Sequence, residues 1–159
     1  MIATLALLSA TVFGTPQACA PGATDTAVLV TVNGFRDRAG NLRIAVYPAK
    51  EEDFLVSGRY AQRIDTPMTD SGSMTVCAPV PGGPGKYVVV ALHDRNASGK
   101  MNPFSDGVGM SRNPQLGLSK PKISIVEVEL NGVTPMQIEL NYLQGLQPKP
   151  WQGDKTPQP

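Results

Sequence analysis

The sequence predicts an all-β fold, an antiparallel β-sandwich of about seven strands with a long polar loop between the fifth and sixth. Three observations predict it. Short apolar stretches rich in Val and Ile recur at fairly even spacing, and several alternate apolar with polar residues, the period of a half-buried strand. Gly 16 and Pro 15 in 159 residues supply turn signals between them. No stretch carries a convincing helical period, and none repeats.

The elements follow in order. Ala27–Asn33 is rich in β-branched residues and reads as a strand. Asp37 to Asn41 reads as a turn, with Gly40 and Asn41 suited to positive φ. Leu42–Tyr47 sets Leu42, Ile44 and Val46 against Arg43, Ala45 and Tyr47. Glu51 to Tyr60 fits one helical turn or a loop anchored by Phe54 and Leu55. Tyr60–Met68 and Ser73–Val80 are weaker strands around Asp70-Ser71-Gly72. Lys86–His93 is apolar on both sides, Val88, Val90 and Leu92 against Tyr87, Val89 and Ala91, and belongs in the middle of a sheet. Ile123–Leu130 points Val126, Val128 and Leu130 inward, and Met136–Tyr142 does so with Met136, Ile138 and Leu140. The sandwich is expected over 27–144, after a linker at 15–26, with a disordered Pro-rich tail over 145–159.

Fourteen basic against thirteen acidic residues leave a net charge of +1, which argues against a nucleic-acid protein, since that would need a basic face. Met1 to Gly14 is apolar and uncharged, the make-up of a secretory leader and shorter than the ~20 residues of a membrane span. Cleavage is expected after Gly14, and Ala18-Cys19-Ala20 offers a later site. A cut after Gly14 keeps both cysteines, and an even count outside the cytoplasm reads as a Cys19–Cys77 disulfide. A cut after Ala20 leaves Cys77 as a buried thiol. The expected location is periplasmic or secreted, with no transmembrane segment in the mature chain and an envelope or extracellular ligand as partner.

The loop after the central strand carries the chemistry. Asp94, Asn96 and Ser98 offer oxygens at alternate positions and Gly99 permits the turn, as in the first half of a calcium loop. The Lys100 carbonyl, Asn102 and Asp106 complete a tentative ligand set. Ser105 stands where a bidentate Glu is needed, so binding of the order of 10⁻⁴–10⁻³ M is the most such a site would give. The same residues equally fit an Asx-turn loop, with Asp94 and Asn96 satisfying backbone N–H groups. His93 is the only histidine, and nothing beside it marks a nucleophile, so an enzyme built on His93 with Asp94 or Asp106 is the weakest reading. Phe104, with Met101 and Met110, is expected to plug one end of the sandwich. Phe104, Arg112, Asn113 and His93 are also the loop's candidates for ligand contact. Trp151 in the tail either meets a partner or folds back on the domain.

Gly85, Tyr87, His93, Asp94, Asn96, Gly99 and Lys100, followed by Gly107, Gly109, Ser111 and Asn113, resemble the signature of an uncharacterised family of exported bacterial proteins, domain of unknown function 2141. Gly40 to Tyr47 and Phe54-Leu55 fit it as well, so the resemblance runs over roughly 27–140. Here Ser98 and Arg112 replace Asn, Asn102 replaces Asp and Met110 replaces Phe, and the lost carboxylate at Asn102 weakens the cation reading. The resemblance implies a transthyretin-like or carboxypeptidase-regulatory-like sandwich and brings no reaction with it. The expected function is a non-catalytic binding or structural module of the envelope, with a calcium-stabilised module as the alternative.

Overall fold

The alternating stretches become strands of two sheets in a computed structural model that describes residues 10–153. In chain order these are β1 (Val12–Gly14), β2 (Ala27–Asn33), β3 (Asn41–Pro48), β4 (Gln62–Pro67), β5 (Met74–Pro79) and β6 (Gly85–Asp94). β7 (Gly107–Met110), β8 (Val128–Leu130), β9 (Val133–Glu139), β10 (Asn141–Gln144) and β11 (Gln147–Pro150) complete them. The smaller sheet runs β1-β5-β2-β9. The larger one, antiparallel throughout, runs β11-β10-β7-β6-β3-β4, with β8 also paired to β6.

β6 explains the layering. It has β3 along one edge and β7 and β8 along the other, so its two apolar faces are both used. Tyr87, Val89 and Ala91 join Val28, Val30 and Val32 of β2 and Leu42, Ile44 and Val46 of β3 in the core between the sheets. Val88 and Val90 on the opposite face pack under Phe54, Leu116 and Val126, which belong to the segments covering that side. A single strand thus anchors two apolar clusters, which is why it must be apolar on both faces. Cys19 ends a short 3₁₀ turn (Pro16–Cys19) and is disulfide-bonded to Cys77 of β5.

Four expectations are corrected. The described residues hold eleven strands rather than about seven, because β1, β7, β8, β10 and β11 are only three or four residues long and too short for a periodic signal. The stretch read as one strand over Ile123–Leu130 is a single helical turn (Ile123–Val126) followed by β8. There the Glu127 N–H returns to the Ile123 carbonyl at 2.8 Å and the Val126 carbonyl accepts the Ser111 hydroxyl, so both are withdrawn from a ladder. The smaller sheet is mixed, with β1 parallel to β5 and β9 parallel to β2. Finally, the tail expected to be disordered from residue 145 turns at Gly145 and pairs β11 with β10. Pro148 and Pro150 are tolerated because β11 is an edge strand, and Trp151 folds back onto Tyr142 at 6.1 Å between ring centroids. The first nine residues of the expected leader and residues 154–159 of the tail lie outside the described residues.

Candidate functional site

β6 ends at Asp94, and alternation sends His93 and Asp94 to opposite sides of the sheet. His93 enters the interior and is 0% exposed. Its Nε2 lies 2.7 Å from the Ala39 carbonyl and must donate to it, which leaves Nδ1 as the acceptor in the neutral ring. The Tyr142 hydroxyl, 2.7 Å away, therefore donates to Nδ1 and itself accepts the Arg36 N–H at 3.1 Å. Burial lowers the His93 pKa, against the opposing pull of the Ala39 carbonyl and of Asp37, whose Oδ1 is 3.8 Å from Nε2. Burial also raises Tyr142 to about 12. Both groups are thus neutral near pH 7 and serve as a strut between β6, β10 and the Phe35–Gly40 turn.

That turn is fitted to the strut. Gly40 has φ +73°, and a Cβ there would come within 2.0 Å of the Asp94 carbonyl oxygen. Gly107 makes room on the other side: a Cβ would lie 2.4 Å from Cζ of Tyr142. Phe35 meets the His93 ring edge-on at 5.6 Å. Asp37 receives the Arg95 Nε–H at 2.7 Å. Partial burial works against the Asp37 carboxylate, but the hydrogen bonds from Arg95 and Ala39 and the Arg95 charge hold its pKa below the usual carboxylate value.

On the other side, the oxygens of the tentative cation set accept hydrogen bonds from the chain itself. Asp94 Oδ1 accepts the Ser98 N–H at 3.1 Å and Oδ2 the Gly99 N–H at 2.7 Å. Asn96 Oδ1 accepts from the same Ser98 N–H, and the Ser98 hydroxyl donates to the Lys100 carbonyl at 2.9 Å. Asp106 Oδ1 accepts the Arg95 N–H at 3.1 Å and Oδ2 the Asn102 N–H at 2.7 Å, while Asn102 Oδ1 caps the Phe104 N–H. Asp94 and Asp106 are each 2% exposed, buried by the loop they close. Each of the six tentative calcium ligands takes part in these hydrogen bonds. Among the described residues no three His, Cys, Asp or Glu side chains converge as a metal set.

The remaining candidates divide. Arg112 and Asn113 both have positive φ, and Arg112 donates to the Ser124 carbonyl. Asn113 docks on β9, its Nδ2 on the Gln137 carbonyl and its Oδ1 receiving the Glu139 N–H. Ser111 accepts the Val89 N–H and donates to Val126, so the Ser111-Arg112-Asn113 run is a brace. Phe104 does not plug the sandwich: it is 79% exposed at the loop tip, while Met110 is buried. Trp151 lies under Arg36, 4.7 Å from ring centroid to guanidinium carbon.

The model of the family described as an uncharacterized protein conserved in bacteria (DUF2141) matches residues 30–138, from β2 through the loop to β9. This chain belongs to DUF2141. The matched span holds His93, Gly40, Gly107 and both carboxylate-closed turns, while Tyr142 falls just beyond it. No curated protein matches the chain, and no solved structure does. No helix among the described residues is long and apolar enough to cross a membrane.

Sequence reading missed a second feature, on the outer face of the larger sheet. Arg43 and Arg63 both give their Nε–H to Asp65, at 2.8 and 2.7 Å, beside the Tyr47–Tyr60 pair. Only the outward alternation of Arg43 and Tyr47 signalled it. The β3–β4 register that brings Arg63 opposite Ala45 and Asp65 opposite Arg43 was not legible.

Proposed function

We propose that this DUF2141 protein is an exported, non-catalytic β-sandwich that acts as a binding or structural module of the cell envelope or exterior. One observation carries the non-catalytic part. The only histidine has both ring nitrogens engaged inside the protein and no exposed surface, so no substrate proton can reach it. The polar loop has the same character, since its carboxylates rigidify the chain instead of presenting themselves. Export is supported by the apolar, uncharged start of the chain and by the Cys19–Cys77 bridge, a bond that persists in oxidising compartments. A cut after Gly14 would remove β1 from the edge of the smaller sheet, while Thr15 would keep its hydrogen bond to the Cys77 carbonyl and the disulfide would be retained.

The test is export itself. Residues 1–40 fused to alkaline phosphatase, which is active only where disulfides form, should give an active reporter in a bacterial host. The full-length protein recovered from the same compartment should begin at Thr15 and contain no titratable thiol. A reporter retained inside the cell, or a full-length product with two free thiols, overturns the export reading. Turnover that depends on His93 would overturn the non-catalytic one.

A further inference from the structure

On the outer face of the larger sheet, beyond the cover of Phe54 and Leu116, lies an open recess of about 380 Å³. This is within the size range of sites for small organic ligands. Its floor is apolar: Ala45 of β3 and Val90 and Leu92 of β6. One wall is the Tyr47–Tyr60 pair, set edge to face at 6.4 Å and 80°. Facing into the same space are three cations, Arg43, Arg63 and Lys100.

The two guanidiniums are only partly neutralised within the protein. Asp65 is the one carboxylate paired with the two guanidiniums, and it takes only their Nε–H groups. Arg63 also lies against Tyr60, its guanidinium carbon 6.0 Å from the ring centroid. Asp65 fixes both forks in place, which removes part of the ordering cost that binding would otherwise incur. Arg43 and Arg63 against Asp65 leave one net positive charge at the wall, the complement of a monoanion. A bare inorganic anion would satisfy that charge but leave the apolar floor and the tyrosine corner wet. Aromatic side chains in such a corner favour a planar ring.

We propose that this recess binds a small ring-bearing carboxylic acid, its carboxylate on the terminal N–H groups of Arg43 and Arg63 and its ring over Val90 and Leu92 against Tyr47 and Tyr60. Lys100, carried on the loop after β6, closes the mouth and adds long-range attraction. The self-closed loop then has a use: it holds Lys100 and Met101 at the rim of the recess.

Binding here rests on reading the fold as a binding module, and it is independent of export. An exported protein that ignores organic acids loses this site, and one that is not exported but still binds them keeps it. The experiment is an amide ¹H–¹⁵N titration of the full chain with sodium benzoate, with benzyl alcohol and inorganic phosphate as separate arms. Benzoate should give saturable shifts at millimolar concentration, centred on β3 from Arg43 to Tyr47 and β6 from Val90 to Leu92. Benzyl alcohol and phosphate should each bind at least about tenfold more weakly, one lacking the charge and the other the ring. Arg63→Gln, at a half-exposed position, should weaken benzoate about tenfold without changing the melting temperature, and Lys100→Gln should weaken it less. No saturation below about 100 mM benzoate overturns the proposal. So do shifts centred elsewhere, phosphate binding as well as benzoate, or a folded Arg63→Gln protein that binds benzoate as wild type does.

Discussion

The strut through His93 predicts that one oxygen atom, in Tyr142→Phe, carries a measurable part of the stability. The hydroxyl donates to His93 Nδ1 at 2.7 Å and accepts the Arg36 N–H at 3.1 Å. Phe keeps the ring, its edge contacts with His93 and Trp151 and its fit over Gly107. What changes is polar satisfaction. The Nδ1 lone pair of a 0% exposed histidine loses its donor and has no route to water, which costs about 1–3 kcal/mol. The Arg36 N–H belongs to an exposed residue and recovers solvent, so its loss adds about 0.5 kcal/mol. The expected sum is about 1.5–3.5 kcal/mol, or a fall in melting temperature of roughly 3–14 °C for a chain of this length. Urea titrations at pH 7.5 should show the midpoint falling with an unchanged slope. A Tyr142→Phe protein within about 0.5 kcal/mol of wild type would refute the reasoning, because it would mean that Nδ1 never depended on the hydroxyl.

Two further outcomes follow from the same region. Burial holds the His93 pKa below its unfolded value of about 6.5, so the unfolded chain binds the extra proton first. The contribution of His93 to stability is therefore complete above about pH 6.5 and declines as pH falls through and below it. Thermal melts between pH 7.5 and 5 should trace that loss in wild type and not in His93→Gln, and parallel curves would contradict it. For the loop, Asp94→Ala removes the acceptor of two backbone N–H groups and should cost about 2–4 kcal/mol, while 5 mM calcium should move the wild-type midpoint by less than about 1 °C. A larger calcium shift that Asp94→Ala abolishes would instead establish an ion site there.

How much of this was legible depended on the range of each interaction. β2, β3 and β6 were readable because each shows its pattern within its own residues, and the two-faced burial of β6 matches its two apolar sides. The Ile123–Val126 turn was not, since what diverts it is a Ser111 hydroxyl from another part of the chain. The loop's residue types were right for either an ion or an Asx lattice. The choice lay in where backbone N–H groups end up, which a spacing of Asp, Asn and Ser does not encode. His93 was recognisable as important, but its partners lie 49 and 54 positions away, and no local motif names Tyr142 or Ala39. The basic recess arose from strand register, which one sequence leaves open.

The chain has two cysteines and both are spent on one bridge, with no free thiol left. Two thiols admit a single intramolecular pairing, so there is no wrong isomer to undo. Oxidative maturation of this domain needs an electron acceptor and nothing that shuffles bonds. Cys77 is 0% exposed with the bridge closed, so an oxidant reaches its sulfur only while β5 or the Cys19 segment lies open.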